Sequence, residues 1–197
     1  MPVDVLVIGL SSSGKSFLVK KLRQLSSSVF EEEQHLKKKK KKKPSNSSSS
    51  SDVSFWETVP SVGVNMDRLY FPNGLYLSFR EVGGALVATW ERYLSDCSSI
   101  LFVVDSSNTF KMAPTVIELL NVIKKVPSSK PILVVYNKID VPQSVSFSSF
   151  KKLLRWSDLC KHRSNLHALD ISNYEDVHIQ SIYDLINSIH SCLIHGS

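Results

Sequence analysis

The clearest chemistry in the chain lies in one short run. Gly9-Leu10-Ser11-Ser12-Ser13-Gly14-Lys15-Ser16 fits G-x-x-x-x-G-K-[ST] at every fixed position. Glycines at this spacing let a backbone wrap closely around phosphate oxygens. Successive N–H groups and the N-terminus of a following helix then form an anion cradle. Gly9, Ser11, Ser12, Ser13 and Gly14 would line it. Lys15 is expected to reach the β- and γ-phosphates of a nucleotide, and the Ser16 hydroxyl to ligate Mg²⁺. The motif has meaning only between a strand and a helix. Val3 to Ile8 is a short apolar, β-branched run that stops at Gly9, and Phe17, Leu18, Leu22 and Leu25 recur at helical spacing.

A second constellation stands far downstream. Asn137-Lys138-Ile139-Asp140 directly follows the apolar run Ile132 to Tyr136. N-K-x-D at the end of a strand is similar to the base-reading motif of Ras-like GTPases. On that resemblance the Asp140 carboxylate accepts hydrogen bonds from N1–H and the 2-amino group of guanine. Adenine has neither donor, and leaving such a carboxylate unpaired costs ~1–3 kcal/mol or more. Asn137 would tie the base loop to the phosphate loop, and the Lys138 stem would cover the ring.

The remaining pattern supplies the elements that position these loops. Val64 to Phe71 and Leu75 to Arg80 flank Pro72-Asn73-Gly74, a hairpin signal. Ile100 to Val104, Pro131 to Tyr136 and Leu166 to Ile171 read as further strands. Thr115 to Val126, Ser148 to Leu159 and Val177 to Leu193 read as helices. The order is β-α-(insertion)-β-β-α-β-α-β-α-β-α. It predicts an α/β fold with a six-stranded, mostly parallel sheet, one antiparallel strand, and helices on both faces.

Residues 27–54 break the pattern with an acidic triplet (Glu31 to Glu33), a lysine run (Lys37 to Lys43) and a serine run (Ser47 to Ser51). Such sequence cannot bury enough apolar surface to offset its ordering entropy. It is expected to be a disordered insertion within one domain spanning 1–197, because the motifs on its two sides complete one site. The chain carries 24 basic and 18 acidic side chains. Without the seven lysines of the run, 17 basic residues face those 18 acids, so the high net charge describes one loop and not a nucleic-acid surface. The run is a solvated insertion, a contact for anionic lipid headgroups, or a patch that mimics a nuclear-import signal or binds RNA electrostatically.

Cys97, Cys160 and Cys192 have no metal-like spacing and are odd in number, which argues against a disulfide framework and for a reducing, cytoplasmic setting. No apolar run approaches the ~20 residues of a membrane span. No signal peptide is expected from Val3 to Ile8, no N-myristoylation with Pro2 at the second position, and no prenylation with Cys192 outside the terminal tetrapeptide.

With both motifs placed, the sequence resembles the Arf-like small GTPases, which implies the Ras-like P-loop fold. Thr58-Val59-Pro60-Ser61-Val62-Gly63-Val64-Asn65 resembles the Arf switch I pattern T-I-P-T-x-G-x-N. Glu81-Val82-Gly83-Gly84 resembles the switch II pattern D-V-G-G, Trp90 and Tyr93 an aromatic pair after it, and Phe102-Val103-Val104-Asp105-Ser106 a typical strand. Arg80-Glu81-Val82-Gly83-Gly84 looks most like the divergent sixteenth Arf-like branch. The resemblance implies Mg²⁺ bound by Ser16 and Ser61, with Glu81 acting through water, and a Gly84 N–H directed at the γ-phosphate. It also implies that Ser172 and Asn173 stand where the family carries a further guanine-contacting motif.

Ala85 departs most from the family, which usually has glutamine there to orient the attacking water. An alanine methyl can neither donate nor accept a hydrogen bond, so no catalytic residue is assigned and intrinsic hydrolysis is expected to be slow. Three readings stay open. The first is a GTP-dependent regulatory switch with effector proteins, an exchange factor and an activating protein, acting as a monomer in intracellular membrane or ciliary traffic. The second is a GTP-loaded scaffold that does not hydrolyse. The third is a P-loop kinase, which Asn137 to Asp140 oppose.

Overall fold

The structure is a computed structural model that describes residues 3–24, 26, 63–70, 76–142, 144–171, 181–182 and 186. The lysine run, Ser61, Ser172 and Asn173 lie outside the described residues.

Six strands form one sheet: β1 (Val3–Ile8), β2 (Val64–Tyr70), β3 (Tyr76–Val82), β4 (Ser99–Asp105), β5 (Ile132–Asn137) and β6 (Leu166–Asp170). Their spatial order is β2-β3-β1-β4-β5-β6. Only β2 runs antiparallel to its neighbour, with Asn65 opposite Glu81 and Met66 opposite Arg80. Every other pairing is parallel, including β1 with both β3 and β4. The expected six-stranded, mixed sheet is therefore present.

Alternation along β1 explains why the sheet is covered on both faces. Val5 and Val7 enter one core with Leu18 and Leu22 of helix α1 (15–24), together with Phe79, Leu101, Val135, Ile182 and Ile186. Leu6 and Ile8 enter the opposite core with Trp90, Phe102, Met112, Leu119, Tyr136 and Phe150. On that side lie α2 (Glu91–Leu94), α3 (Thr109–Lys125) and α4 (Phe147–Leu153). The Tyr136 ring stacks on Phe150 at 4.6 Å between centroids. The apolar strands are central because both their faces must be buried. The outermost strand, β2, is largely exposed and pairs Asp67 with Arg23 of α1 at 3.1 Å.

Two helices differ from the sequence expectation. The α3 helix begins six residues earlier than the predicted start at Thr115, at Thr109. Asn108 caps it by accepting from the Lys111 N–H at 3.1 Å, and Pro114 sits inside it. Proline there removes the bond to the Phe110 carbonyl. Phe110 is 95% exposed, on the solvent side of the helix, which moderates that cost. The predicted Ser148 to Leu159 helix is two: α4 and α5 (Trp156–His162). The break is Arg155, in the left-handed region at φ 49°, ψ 49°. It follows Leu154, buried in the core, and its guanidinium pairs with Asp158 at 2.7 Å, so local bonds offset the unfavourable backbone. Of the predicted C-terminal helix, only 181–182 and 186 are described, and they are helical.

Candidate functional site

Parallel strands end together, so whatever follows β1, β3, β4 and β5 converges at one edge of the sheet. In such sheets the crevice opens where successive connections leave in opposite directions, here beside β1. The loop 9–16 occupies that place. Gly9 (φ 146°) begins it because a Cβ there would lie 2.2 Å from the Val103 carbonyl oxygen of β4. No side chain fits between the two strands at this point.

The carbonyls of the loop can be accounted for one by one. The Lys15 ammonium donates to Gly9 O at 2.9 Å and Leu10 O at 3.0 Å. Lys111 Nζ, from the first turn of α3, donates to Ser11 O at 3.1 Å. Lys138 Nζ donates to Ser12 O at 2.7 Å, and Asn137 Nδ2 to Ser13 O at 2.9 Å. Gly14 O accepts the first bond of α1, from the Leu18 N–H at 2.9 Å. Every carbonyl from 9 to 14 is thus engaged by a donor, and none is left to oppose an anion in the loop. Ser12 (φ 69°) and Lys138 (φ 67°) both occupy the left-handed region, and they bond to each other. Strain of this kind persists only where surrounding contacts impose it.

Three cations around one loop carry an electrostatic cost. Lys15 is only 5% exposed, and its pKa is lowered to about 8. Burial is the main cause; the Glu81 carboxylate opposes it and the Lys111 ammonium adds to it. Glu81, at the end of β3, is buried and accepts from Ser16 Oγ at 2.5 Å. Ser16 and Glu81 therefore bring a hydroxyl and a carboxylate together beside the loop. Hard oxygen donors of this kind suit Mg²⁺, which keeps several waters and needs few protein ligands. The longer glutamate side chain reaches the hydroxyl directly.

Beyond the loop, Asp105 ends β4 and pairs with Lys138 Nζ at 2.8 Å. Burial alone would raise the Asp105 pKa. Hydrogen bonds from Lys138 and Ser107 outweigh it and hold the carboxyl below its usual value. Asp140 lies in the turn after Lys138 and is exposed, so a penalty for leaving it unpaired requires a ligand that covers it. Buried polar atoms without a partner among the described residues cluster here too: Ser13 Oγ, Asn137 Oδ1 and Ser106 Oγ. Such orphans suit a polar ligand. A loop whose carbonyls are all engaged, orphaned polar atoms and a hydroxyl–carboxylate pair together fit a nucleotide phosphate chain with a hard divalent cation.

On the other side of the loop, Gly84 packs so tightly that a Cβ would lie 2.3 Å from the Ser11 nitrogen. Ala85 follows it and is exposed. The Gly83 N–H donates to Gly63 O at 3.0 Å, joining the ends of β2 and β3. Trp90 is buried edge-on against Phe102, and Tyr93 lies under the Arg80 guanidinium at 5.7 Å.

The structure thus brings Gly9, Ser11, Ser12, Ser13, Gly14, Lys15, Ser16, Glu81, Gly84, Asn137, Lys138 and Asp140 to one edge of the sheet. Sequence reasoning gave no site role to Asp105 or Lys111. A carboxylate ending a buried strand could have marked the first. For the second, the signal is a lysine in the first turn of a helix that has no acid there.

The pattern of the ADP-ribosylation factor family matches residues 49–190, a stretch that begins after the 9–16 loop. Human ADP-ribosylation factor-like protein 16 is 26% identical over 187 residues, covering 94% of this chain and 85% of that protein. Human ADP-ribosylation factor-like protein 4C is 31% identical over 112 residues, covering 53% of this chain and 58% of its own. Among solved structures, the Arl6 BBS3 small GTPase from Trypanosoma brucei, with bound nucleotide analogue GppNp, aligns with a TM-score of 0.71. That alignment has 16% identity and covers 97% of this chain and 98% of the other, which places the fold.

Proposed function

The chain belongs to the ADP-ribosylation factor family, and on that premise we propose that it is a guanine-nucleotide switch with very slow intrinsic hydrolysis. The observation that carries the nucleotide reading is the engagement of every carbonyl from Gly9 to Gly14 by a donor from Lys15, Lys111, Lys138, Asn137 or Leu18. Such a loop is preorganised for an anion before the anion arrives.

On this reading the third N–H of the Lys15 ammonium would donate to the phosphates while the other two keep the Gly9 and Leu10 carbonyls engaged, and Ser16 with Glu81 and Ser61 would hold Mg²⁺, Glu81 through water. Gly84 presents its N–H to the terminal phosphate. Asn137 keeps the base loop on the phosphate loop, Lys138 covers the ring and Asp140 reads guanine, with Ser172 and Asn173 as further guanine contacts. Bound Mg²⁺ supplies charge compensation at the phosphates.

Ala85 has no group to orient a water, so hydrolysis depends on a partner that supplies one. Switch I (58–65) and switch II (81–93) order around the terminal phosphate and present a surface to effectors. Residues 27–54 are an insertion in a single domain, and Lys37 to Lys43 offer a weak contact for anionic lipid. Intracellular membrane or ciliary traffic is the setting the family suggests. Among the described residues no helix is long and apolar enough to cross a membrane. The exposed, non-hydrogen-bonding Ala85 side chain also favours a second reading, a GTP-loaded scaffold.

The test is to purify the protein, identify its bound nucleotide, and follow GTP with Mg²⁺ in a single turnover. GTP preferred over ATP and retained over hours supports the proposal. Brisk intrinsic turnover overturns the slow-hydrolysis part, and equal binding of ATP overturns the guanine part.

A further inference from the structure

Two of the three ammonium groups on the 9–16 loop have roles in the reading above; Lys111 has none. Its placement is costly. It occupies the first turn of α3, where the helix dipole disfavours a cation and where no acid compensates it. It also adds to the positive field felt by buried Lys15. The backbone beneath it is nonetheless fixed. Asn108 accepts from the Lys111 N–H at 3.1 Å, and Lys111 O accepts from Thr115 Oγ1 at 2.6 Å. From this base the side chain reaches Ser11 O at 3.1 Å. Ser11 is the loop residue on which Gly84 rests. Lys111 therefore holds the carbonyl of the residue that Gly84 packs against, whereas Lys138, from the base loop, holds the next carbonyl, that of Ser12.

We propose that Lys111 is a specificity-determining cation of the phosphate site, one that favours the triphosphate over the diphosphate. The inference rests on the nucleotide-binding reading above. Repulsion between Lys15 and Lys111 is relieved when an anion binds at the loop that both contact. The relief grows with each added negative charge on the side of the loop where Gly84 packs.

Equilibrium titrations of fluorescent GDP and of a non-hydrolysable GTP analogue, with Mg²⁺, test this. Lys111→Met keeps the apolar stem and removes the charge. It should weaken the triphosphate about five- to tenfold and the diphosphate less than about threefold. Lys111→Gln retains a donor for the Ser11 carbonyl without charge and should lose the same ratio, while Lys111→Arg should restore it. Circular dichroism melting confirms that the variants fold. Equal weakening of both nucleotides, or a wild-type ratio in Lys111→Gln, would mean that Lys111 only clamps the loop, and the proposal falls. Wild-type protein that binds neither guanine nucleotide overturns the underlying reading as well, a result distinct from a lost ratio.

Discussion

The 9–16 loop and the 83–90 turn touch each other, yet they are held in opposite ways. The loop is fixed from outside, by side chains of α3 and β5 and of the residue that follows β5, whose sequence neighbours lie a hundred or more residues away. The turn is held mostly by itself: Leu86 N–H to Gly83 O at 2.9 Å, Thr89 N–H to Leu86 O at 2.9 Å, and Trp90 N–H to Val87 O at 3.1 Å. Long-range tertiary bonds hold a shape that is already formed. Short i to i+3 bonds can be remade one residue along at little cost. The chain has therefore built a rigid receptor beside a turn that can rearrange.

The largest expected effect tests the rigid half. Lys15→Met should weaken guanine nucleotide binding by about a hundredfold or more, measured by nucleotide titration. The nucleotide-free protein should melt within a few degrees of wild type, because loss of the bond to Gly9 O is offset by removal of a buried cation. Gly84→Ala tests the contact between the halves. Its Cβ would meet the Ser11 nitrogen at 2.3 Å, so the turn must back away from the loop. The triphosphate should weaken about tenfold more than the diphosphate, with both still bound.

A smaller effect follows from the buried ammonium. Lys15 titrates at about 8 in the nucleotide-free protein, and a phosphate beside it raises that value. Well below pH 8 the group is charged in both states and contributes no pH dependence. Above it, binding takes up a proton, so affinity falls by up to roughly tenfold per pH unit. Titrations from pH 7 to 9.5 would show the bend, and Lys15→Met should abolish it. Smallest is Arg80→Met, which removes the contact with Tyr93 and the ion pair with Asp4. A stability loss of about 1–2 kcal/mol, read from melting, is expected, because the Asp4 carboxyl left behind is only 16% exposed and loses its partner.

Much of this was readable in advance. The strands β1, β4 and β5 announced themselves because parallel strands at the centre of a sheet are buried on both faces and so run apolar. The 9–16 and 137–140 motifs could be read because their chemistry is local in sequence. The start of α3 was hidden because Pro114 reads as a boundary, and only the exposed position of Phe110 shows why it is tolerated. Arg155 in a left-handed conformation leaves no mark in composition. Lys111 was missed because its role depends on α3 docking against a loop 100 residues earlier. No periodicity records that approach.

The position of β2 at the end of the strand order has one more consequence. A terminal strand invites another chain to add to the sheet, and Val64 and Met66 would make that addition sticky, at 39% and 61% exposed. Asp67 and Arg68 follow immediately, placing opposite charges in mid-strand. A second copy aligned on this edge would have to strip water from both. The Asp67 pair with Arg23 thus does more than dock α1 to β2: it keeps a carboxylate on the edge strand, where a charge opposes the addition of another strand.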